Sequence, residues 1–204
     1  MNAQICLEIL RNIKDVAFAT VDEEGLPQIR MIDVMLVEDH RLYFCTARGK
    51  DFYRQLIRSK NVAITGMNQS YQMVRLNGTA EKLSDQKAWI DRIFAENPGM
   101  NQVYPGDNRY ILEAFCISRG EVEFFDLGVS PIERHRFVLE NSTPLTRGFT
   151  ITQSCVGCKK CLSVCPQKCI LPGKPFQISQ EHCLHCGLCA EICPTHSIIR
   201  KDTL

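Results

Sequence analysis

Two stretches toward the end of the chain, CVGCKKCLSVCP from Cys155 to Pro166 and CLHCGLCAEICP from Cys183 to Pro194, spell one pattern, CxxCxxCxxxCP. Cys155, Cys158, Cys161, Cys165, Pro166 and Ile170 fall in register with Cys183, Cys186, Cys189, Cys193, Pro194 and Ile198. Thiolates at this density and spacing suit a cubic iron–sulfur cluster. Three cysteines at CxxCxxC wrap one cube within a single loop, while the fourth, fixed by its proline, points away to the cluster of the other repeat. The spacing therefore predicts two [4Fe-4S] clusters, one on Cys155, Cys158, Cys161 and Cys193, the other on Cys183, Cys186, Cys189 and Cys165. Structural zinc also takes four thiolates, but it pairs two CxxC knuckles over a longer spacer and has no use for a third in-phase cysteine. The chemistry implied is single-electron transfer.

From about Thr150 onward, with both motifs complete, the chain resembles the double-cubane bacterial ferredoxin domain, a small α+β unit. That unit takes roughly the last fifty of 204 residues and leaves about 145 for a second, larger core. The expected division is a first domain over residues 1–137, a polar linker over 138–149 containing Pro144 and Gly148, and the ferredoxin domain over 150–204. The chain carries 24 Lys+Arg against 23 Asp+Glu, without the basic excess that a nucleic acid or an anionic membrane surface demands of a partner. No apolar run is long enough to span a bilayer, and MNAQICLEILRN lacks the pattern of a signal peptide, so a cytoplasmic location is expected. Eight of the twelve cysteines belong to the two motifs. Cys169 stands at the repeat position of Ser197 and reads as a small buried filler behind the cluster loop. Cys6, Cys45 and Cys116 lie in apolar stretches and read as core residues.

The first 130 residues read as strands with two inserted helices. Val16, Phe18 and Thr20 alternate toward a turn at residues 22–25, and residues 26–37 follow as one long extended stretch, which predicts a hairpin. Residues 41–46 make a third strand. A helix beginning near Gly49 carries the apolar stripe Phe52, Tyr53, Leu56 and Ile57. Residues 61–67 and 71–83 form a strand pair with Gly78 as a bulge, and Ser84 starts a second helix with Trp89, Ile90, Ile93 and Phe94 on its buried face. Two last strands, 111–118 and 121–125, turn at Arg119 and Gly120. Many strands with few helices predict a closed or half-closed β barrel.

The run AFATVDEEGLPQIRMIDVML, then RLYFCTARGKDFYRQLIRSKNVAIT and RLNGTAEKL, resembles the FMN-binding split β-barrel family typified by pyridoxamine 5'-phosphate oxidase, over residues 13–127. In that family an arginine of the second strand meets the flavin phosphate and the backbone after it faces the isoalloxazine ring. The resemblance places these roles on Arg30 and on Met31, Ile32, Asp33 and Val34. A hydroxyl ending the third strand and basic residues opening the next helix complete the phosphate site, here Thr46, Arg48 and Lys50. A doubly charged phosphate suits an Arg fork, a Lys point charge, a hydroxyl and the free amides of a helix N-terminus. The resemblance also implies a homodimer with each flavin lodged between subunits. Met73 stands where the family often has a glutamine. The loop 97–110 reads as a cover over the flavin, with Tyr104, Arg109 and Tyr110 as substrate-site candidates, against the plainer reading of loop residues packing on the barrel. Arg134, His135 and Arg136 do not reproduce the Arg and His pair with which the oxidase grips pyridoxal phosphate. They read as a solvated basic turn before the linker.

The chain thus reads as mainly β with α: an FMN-binding split β-barrel followed by a small α+β double-cubane ferredoxin domain. The expected function is that of an iron–sulfur flavoprotein oxidoreductase, passing electrons between two [4Fe-4S] clusters and FMN to reduce a small organic substrate. Exposed low-potential cubes, which leak electrons to oxygen once reduced, argue against an oxygen-handling oxidase. The alternatives are a non-enzymatic electron carrier or redox sensor serving a partner protein, and a flavin or nitroaromatic reductase of the same barrel family. No glycine fingerprint between a strand and a helix marks a nicotinamide site.

Overall fold

The computed structural model describes residues 1–140, 142 and 147–202. It opens with a helix that the strand reading misses. α1 (Ala3–Ile13) starts where Asn2 Oδ1 accepts the Ile5 N–H at 2.9 Å, and it buries Ala3, Cys6, Leu7 and Leu10 on one face. β1 (Asp15–Val21) and β2 (Pro27–Asp33) then pair antiparallel from Val21 opposite Pro27 to Asp15 opposite Asp33. Asp22 fixes their turn by accepting the Leu26 and Glu24 N–H groups at 2.8 and 3.1 Å, which holds its carboxyl below the usual range.

The single strand expected over 26–37 is broken in two. The Val34 N–H donates to Lys14 O and the Met35 N–H to Tyr43 O, each at 2.9 Å, and both side chains are buried. The chain thereby leaves β1 as partner and becomes β3 (Leu36–Glu38), which pairs with β4 (Arg41–Ala47). α2 (Asp51–Ser59), β5 (Asn61–Met67) and β6 (Gln72–Lys82) follow as expected, except that Gly78 pairs with Val62 in unbroken register and makes no bulge against β5. α3 (Gln86–Glu96) is capped by Asp85 rather than Ser84, through the Ala88 N–H at 3.2 Å. After the short α4 (Met100–Val103) come β7 (Leu112–Asp126) and β8 (Glu133–Val138).

The sheet runs β2-β1-β5-β6-β7-β4-β3, with β8 paired to β7. Its two edge strands, β2 and β3, are joined by Val34 and Met35 alone. Three peptide steps span at most about 11 Å, so the sheet has to curl until its edges approach, and a half-closed barrel results. Phe18, Phe44 and Phe115 fill its core with ring centroids 4.9 and 5.5 Å apart along the row, and Phe52 of α2 packs 6.0 Å from Phe18. α3 covers a second apolar patch with Ile90, Ile93 and Phe94 against Cys45, Ala47 and Ala114.

Two expectations are corrected here. Leu112–Asp126 is one continuous strand, not a hairpin, because Gly120 marks a close approach. A Cβ there would sit 2.2 Å from Asn77 O and 2.8 Å from Gly78 Cα, so the pair Gly78 and Gly120 lets β6 and β7 touch. Arg134, His135 and Arg136 are not a solvated turn but part of β8.

The chain divides into two compact units. The first holds Met1–Gln69, Met73–Glu123 and Arg136–Ser142; the second holds Ser70–Gln72, Phe124–His135 and Thr143–Leu204, so it takes in a stretch that the sequence reading assigns to the barrel. Of the expected linker, residues 141 and 143–146 lie outside the described residues, and 147–149 belong to a strand. That strand, β9 (Arg147–Ile151), is followed by α5 (Lys160–Val164), β10 (Ile170–Leu171), β11 (Gln177–Ile178), α6 (Leu188–Glu191) and β12 (Ile198–Asp202). β12 pairs antiparallel with β9, and β10 with β11, so the second unit repeats one small motif twice. Among the described residues no helix is long and apolar enough to cross a membrane.

Candidate functional site

In the second unit the eight motif cysteines fall into two sets. Cys155, Cys158, Cys161 and Cys193 line one cavity, walled by Ile151, Phe176 and Ile198. Cys183, Cys186, Cys189 and Cys165 line another, walled by Phe149, Ile170 and Ile178. Each cavity takes three thiols from one repeat and the fourth from the other. The loops that carry them hold left-handed residues at matching places: Gly157, Lys159 and Lys168 at φ 69°, 65° and 51°, then His185, Gly187 and His196 at 55°, 86° and 49°. For a residue other than glycine this conformation costs about 1–2 kcal/mol, and its recurrence in both repeats marks strain kept for a purpose. Alternating hand turns backbone N–H groups toward one side, a shape that receives negative charge. The His185 N–H reaches Cys183 Sγ at 3.4 Å and the Ser197 N–H reaches Cys193 Sγ at 3.3 Å. All twelve cysteines are free thiols. Four thiols around an apolar cavity, with N–H groups on their sulfurs, fit a [4Fe-4S] cube in donor type and number. Cys169 is more than filler, for it also lines the second cavity, its Sγ 3.5 Å from that of Cys165.

In the first unit a cleft of about 810 Å³ is lined by Arg30, Met31 and Ile32 of β2 and by Lys50, Arg54, Gln55 and Arg58 of α2 and its cap. Arg30 is held ready. Its Nη1 donates to Thr20 Oγ1 at 2.6 Å, its Nη2 to Gln55 Oε1 at 2.9 Å, and the guanidinium lies 4.6 Å from the Phe52 ring centroid. Burial lowers its pKa, but an arginine stays charged. Lys50 caps α2 with no side-chain acceptor for the first amides, which leaves them to a ligand. Thr46 Oγ1 is buried without a hydrogen-bond partner among the described residues, but Thr46 does not line this cleft. The acidic side chains on the cleft, Asp22, Glu23 and Glu24, belong to the β1–β2 turn, and Asp51 is paired with Arg54. The donor set fits a phosphate-bearing flavin.

Not every expected residue comes to this cleft. Asp33 and Val34 lie beyond its lining, and Met73 stands at the start of β6 opposite Met67. Arg48 turns the other way, donating to Tyr110 O at 2.8 Å and lying 3.7 Å from Glu113. Burial works against ionised Glu113, yet the Tyr53 hydroxyl at 2.7 Å and Lys82 Nζ at 3.0 Å hold its carboxyl below the usual range. Arg54, Gln55 and Arg58 were not expected. Lys50, Arg54 and Arg58 recur every four residues, a spacing that puts three cations on one helix face and was readable. Tyr104 and Tyr110 pack on the apolar patch under α3, and Arg109 lies over Phe94 and 3.6 Å from Asp91, so the three follow the plainer reading. Cys6, Cys45 and Cys116 are buried, which pushes their thiols up to about 11, 12 and 11 and leaves them inert core groups.

Residues 4–107 match the family described as pyridoxamine 5'-phosphate oxidase, and residues 154–197 match the 4Fe-4S dicluster domain. A pyridoxine/pyridoxamine 5'-phosphate oxidase of Agrobacterium fabrum is 33% identical over 107 residues, covering 48% of this chain and 51% of that protein. A dihydrophenazinedicarboxylate synthase of Pseudomonas chlororaphis is 30% identical over 95 residues, 44% of this chain and 42% of that one. The match thus spans about half the length of these relatives. A crystal structure of a NimC/NimA family protein from Clostridium acetobutylicum shares the fold, with a TM-score of 0.58 at 23% identity, over 68% of this chain and 92% of its own.

If the crossed sets are the ligand sets, Cys165→Ser should perturb the cluster of Cys183, Cys186 and Cys189 while leaving the other intact. Electron paramagnetic resonance on protein purified without oxygen reads this, and loss confined to the cluster of Cys155, Cys158 and Cys161 would contradict it. Lys50→Ala should weaken FMN by about ten- to hundredfold, because a bond to a charged phosphate contributes on the order of 1.5 to 3 kcal/mol. Unchanged flavin affinity in both Lys50→Ala and Arg30→Ala would remove the cleft from consideration.

Proposed function

Because the chain belongs to the pyridoxamine 5'-phosphate oxidase family and carries a 4Fe-4S dicluster domain, we propose that it is an FMN-dependent, ferredoxin-linked oxidoreductase that reduces a small organic substrate. The observation that carries the reading is the presence, on one chain, of two cavities that each gather three motif thiols of one repeat and one of the other, and of a cleft with a pre-set arginine and a helix N-terminus. Bound clusters would supply electrons singly, and bound FMN would supply one- or two-electron chemistry.

The residues divide the work. The eight motif cysteines hold the clusters, and the left-handed loops aim N–H groups that stabilise the negative charge on the sulfurs. Arg30, Lys50 and the α2 amides bind the flavin phosphate and so fix where the ring lies. Thr20 and Gln55 orient the Arg30 guanidinium, which lessens the side-chain ordering left to occur on binding. A second copy of the chain is expected to complete the flavin site. Ile29 and Met31 of edge strand β2 are 73% and 62% exposed, apolar surface of the kind a partner subunit covers. Both redox modules sit on one chain, which holds them at an effective concentration of roughly millimolar without a separate docking event.

The test uses the full chain loaded with FMN and iron. Under anaerobic conditions a reduced ferredoxin-type donor should bleach the flavin band of the wild type, and Cys186→Ser, with FMN still bound, should slow that bleaching at least tenfold. Bleaching at the wild-type rate in the variant would make the clusters bystanders and favour the electron-carrier or sensor reading.

A further inference from the structure

Arg134, which the sequence marks only as one of three basic residues after the barrel, is placed by β8 against the cluster-two half of the second unit. Its Nη1 donates to the carbonyl oxygen of Cys183 at 2.8 Å, and its guanidinium lies 4.7 Å from the Phe125 ring centroid. The residues before it are tied to the same half. The Ile132 N–H donates to Gln167 Oε1 at 3.1 Å, and Ile132 O lies 2.9 Å from His182 Nδ1. Cys183 and Gln167 both line the second cavity. The stretch from Ile132 to Arg134 is therefore a strap across one cysteine set.

The two cavities resemble each other in their neutral neighbours. Each has a backbone N–H on a ligand sulfur, from His185 to Cys183 and from Ser197 to Cys193. Each has a side chain beside its crossing ligand, the Cys169 thiol 3.5 Å from Cys165 and the Thr195 hydroxyl 3.6 Å from Cys193. Charge distinguishes them. Lys159 on the first cavity is exposed, where water and salt screen it, whereas the Arg134 guanidinium is half-buried and bonded to a ligand residue. Adding one electron to a cluster adds one negative charge, and a fixed cation nearby stabilises that state.

We infer that Arg134 is a positioning residue for the cluster of Cys183, Cys186, Cys189 and Cys165, raising its reduction potential and biasing an entering electron toward it. This rests on the cluster reading above. The electron comes from the reductant of the measurement, dithionite with mediators, and no bond is made or broken.

The experiment is an anaerobic redox titration of the full-length protein followed by electron paramagnetic resonance, on wild type, Arg134→Gln and Arg134→Lys, with iron counted in each. The signal that Cys165→Ser perturbs identifies the second cluster. Arg134→Gln should shift the reduction equilibrium of that cluster about tenfold toward the oxidised form, about 59 mV for one electron, with the first cluster unchanged. Arg134→Lys, which keeps the charge, should shift it less than half as far. No shift, an equal shift of both clusters, or equal shifts in Gln and Lys variants would overturn the inference. Should Arg134→Gln fail to load iron, the Lys variant and wild type still decide, since a full shift with the charge retained excludes an electrostatic role. A wild type without about eight irons per chain would instead refute the cluster reading itself.

Discussion

Each cysteine set needs one thiol from the other repeat, and this crossing of Cys165 and Cys193 governs the whole second unit. Neither half can complete a four-thiolate site alone, so the halves have to pack face to face. The shared core of Ile151, Cys161, Ile170, Phe176, Cys193 and Ile198 is small, and a domain of this size gains little from burial alone. Metal–thiolate bonds formed there would become folding energy, and would hold the left-handed residues of the loops. Beside the crossed sets, β12 pairs antiparallel with β9, with Ile198 opposite Ile151.

The first unit rests on a different constraint, the two-residue bridge from β2 to β3. By forcing the sheet to curl it encloses the phenylalanine core and sets α2 beside β2, where Lys50 and Arg30 share a cleft. Val34, expected as part of the flavin contact, serves this bridge instead, with its N–H committed to Lys14 O. Arg48 is likewise drawn off by the buried Glu113 carboxylate, whose cost of burial is offset by Tyr53, Lys82 and Arg48 together.

The grouping of the motif cysteines around two cavities was legible because it follows from their spacing, and spacing is written in the chain. That Arg30 and Lys50 share a cleft follows from the family resemblance, whereas the placing of Arg54 and Arg58 beside them follows from helical periodicity. α1 went unread because its stripe of Cys6, Leu7 and Leu10 is short and its polar residues look like an ordinary terminus. The hairpin misread at Arg119 and Gly120 has a clear cause. Glycine marks both turns and close strand contacts, and only the position of Gly78 on the neighbouring strand separates the two. Arg134 could not be placed from sequence, since its partner Cys183 lies far along the chain and the meeting depends on tertiary packing.

The central claim is that two cubes are held by crossed ligand sets, and a crystal structure with anomalous scattering measured at the iron edge tests it most directly. The account expects two four-iron peaks per chain, one within bonding distance of Cys155, Cys158, Cys161 and Cys193, the other of Cys183, Cys186, Cys189 and Cys165. A single metal bridging two CxxC pairs, or two sites each ligated by four cysteines of one repeat, would contradict it.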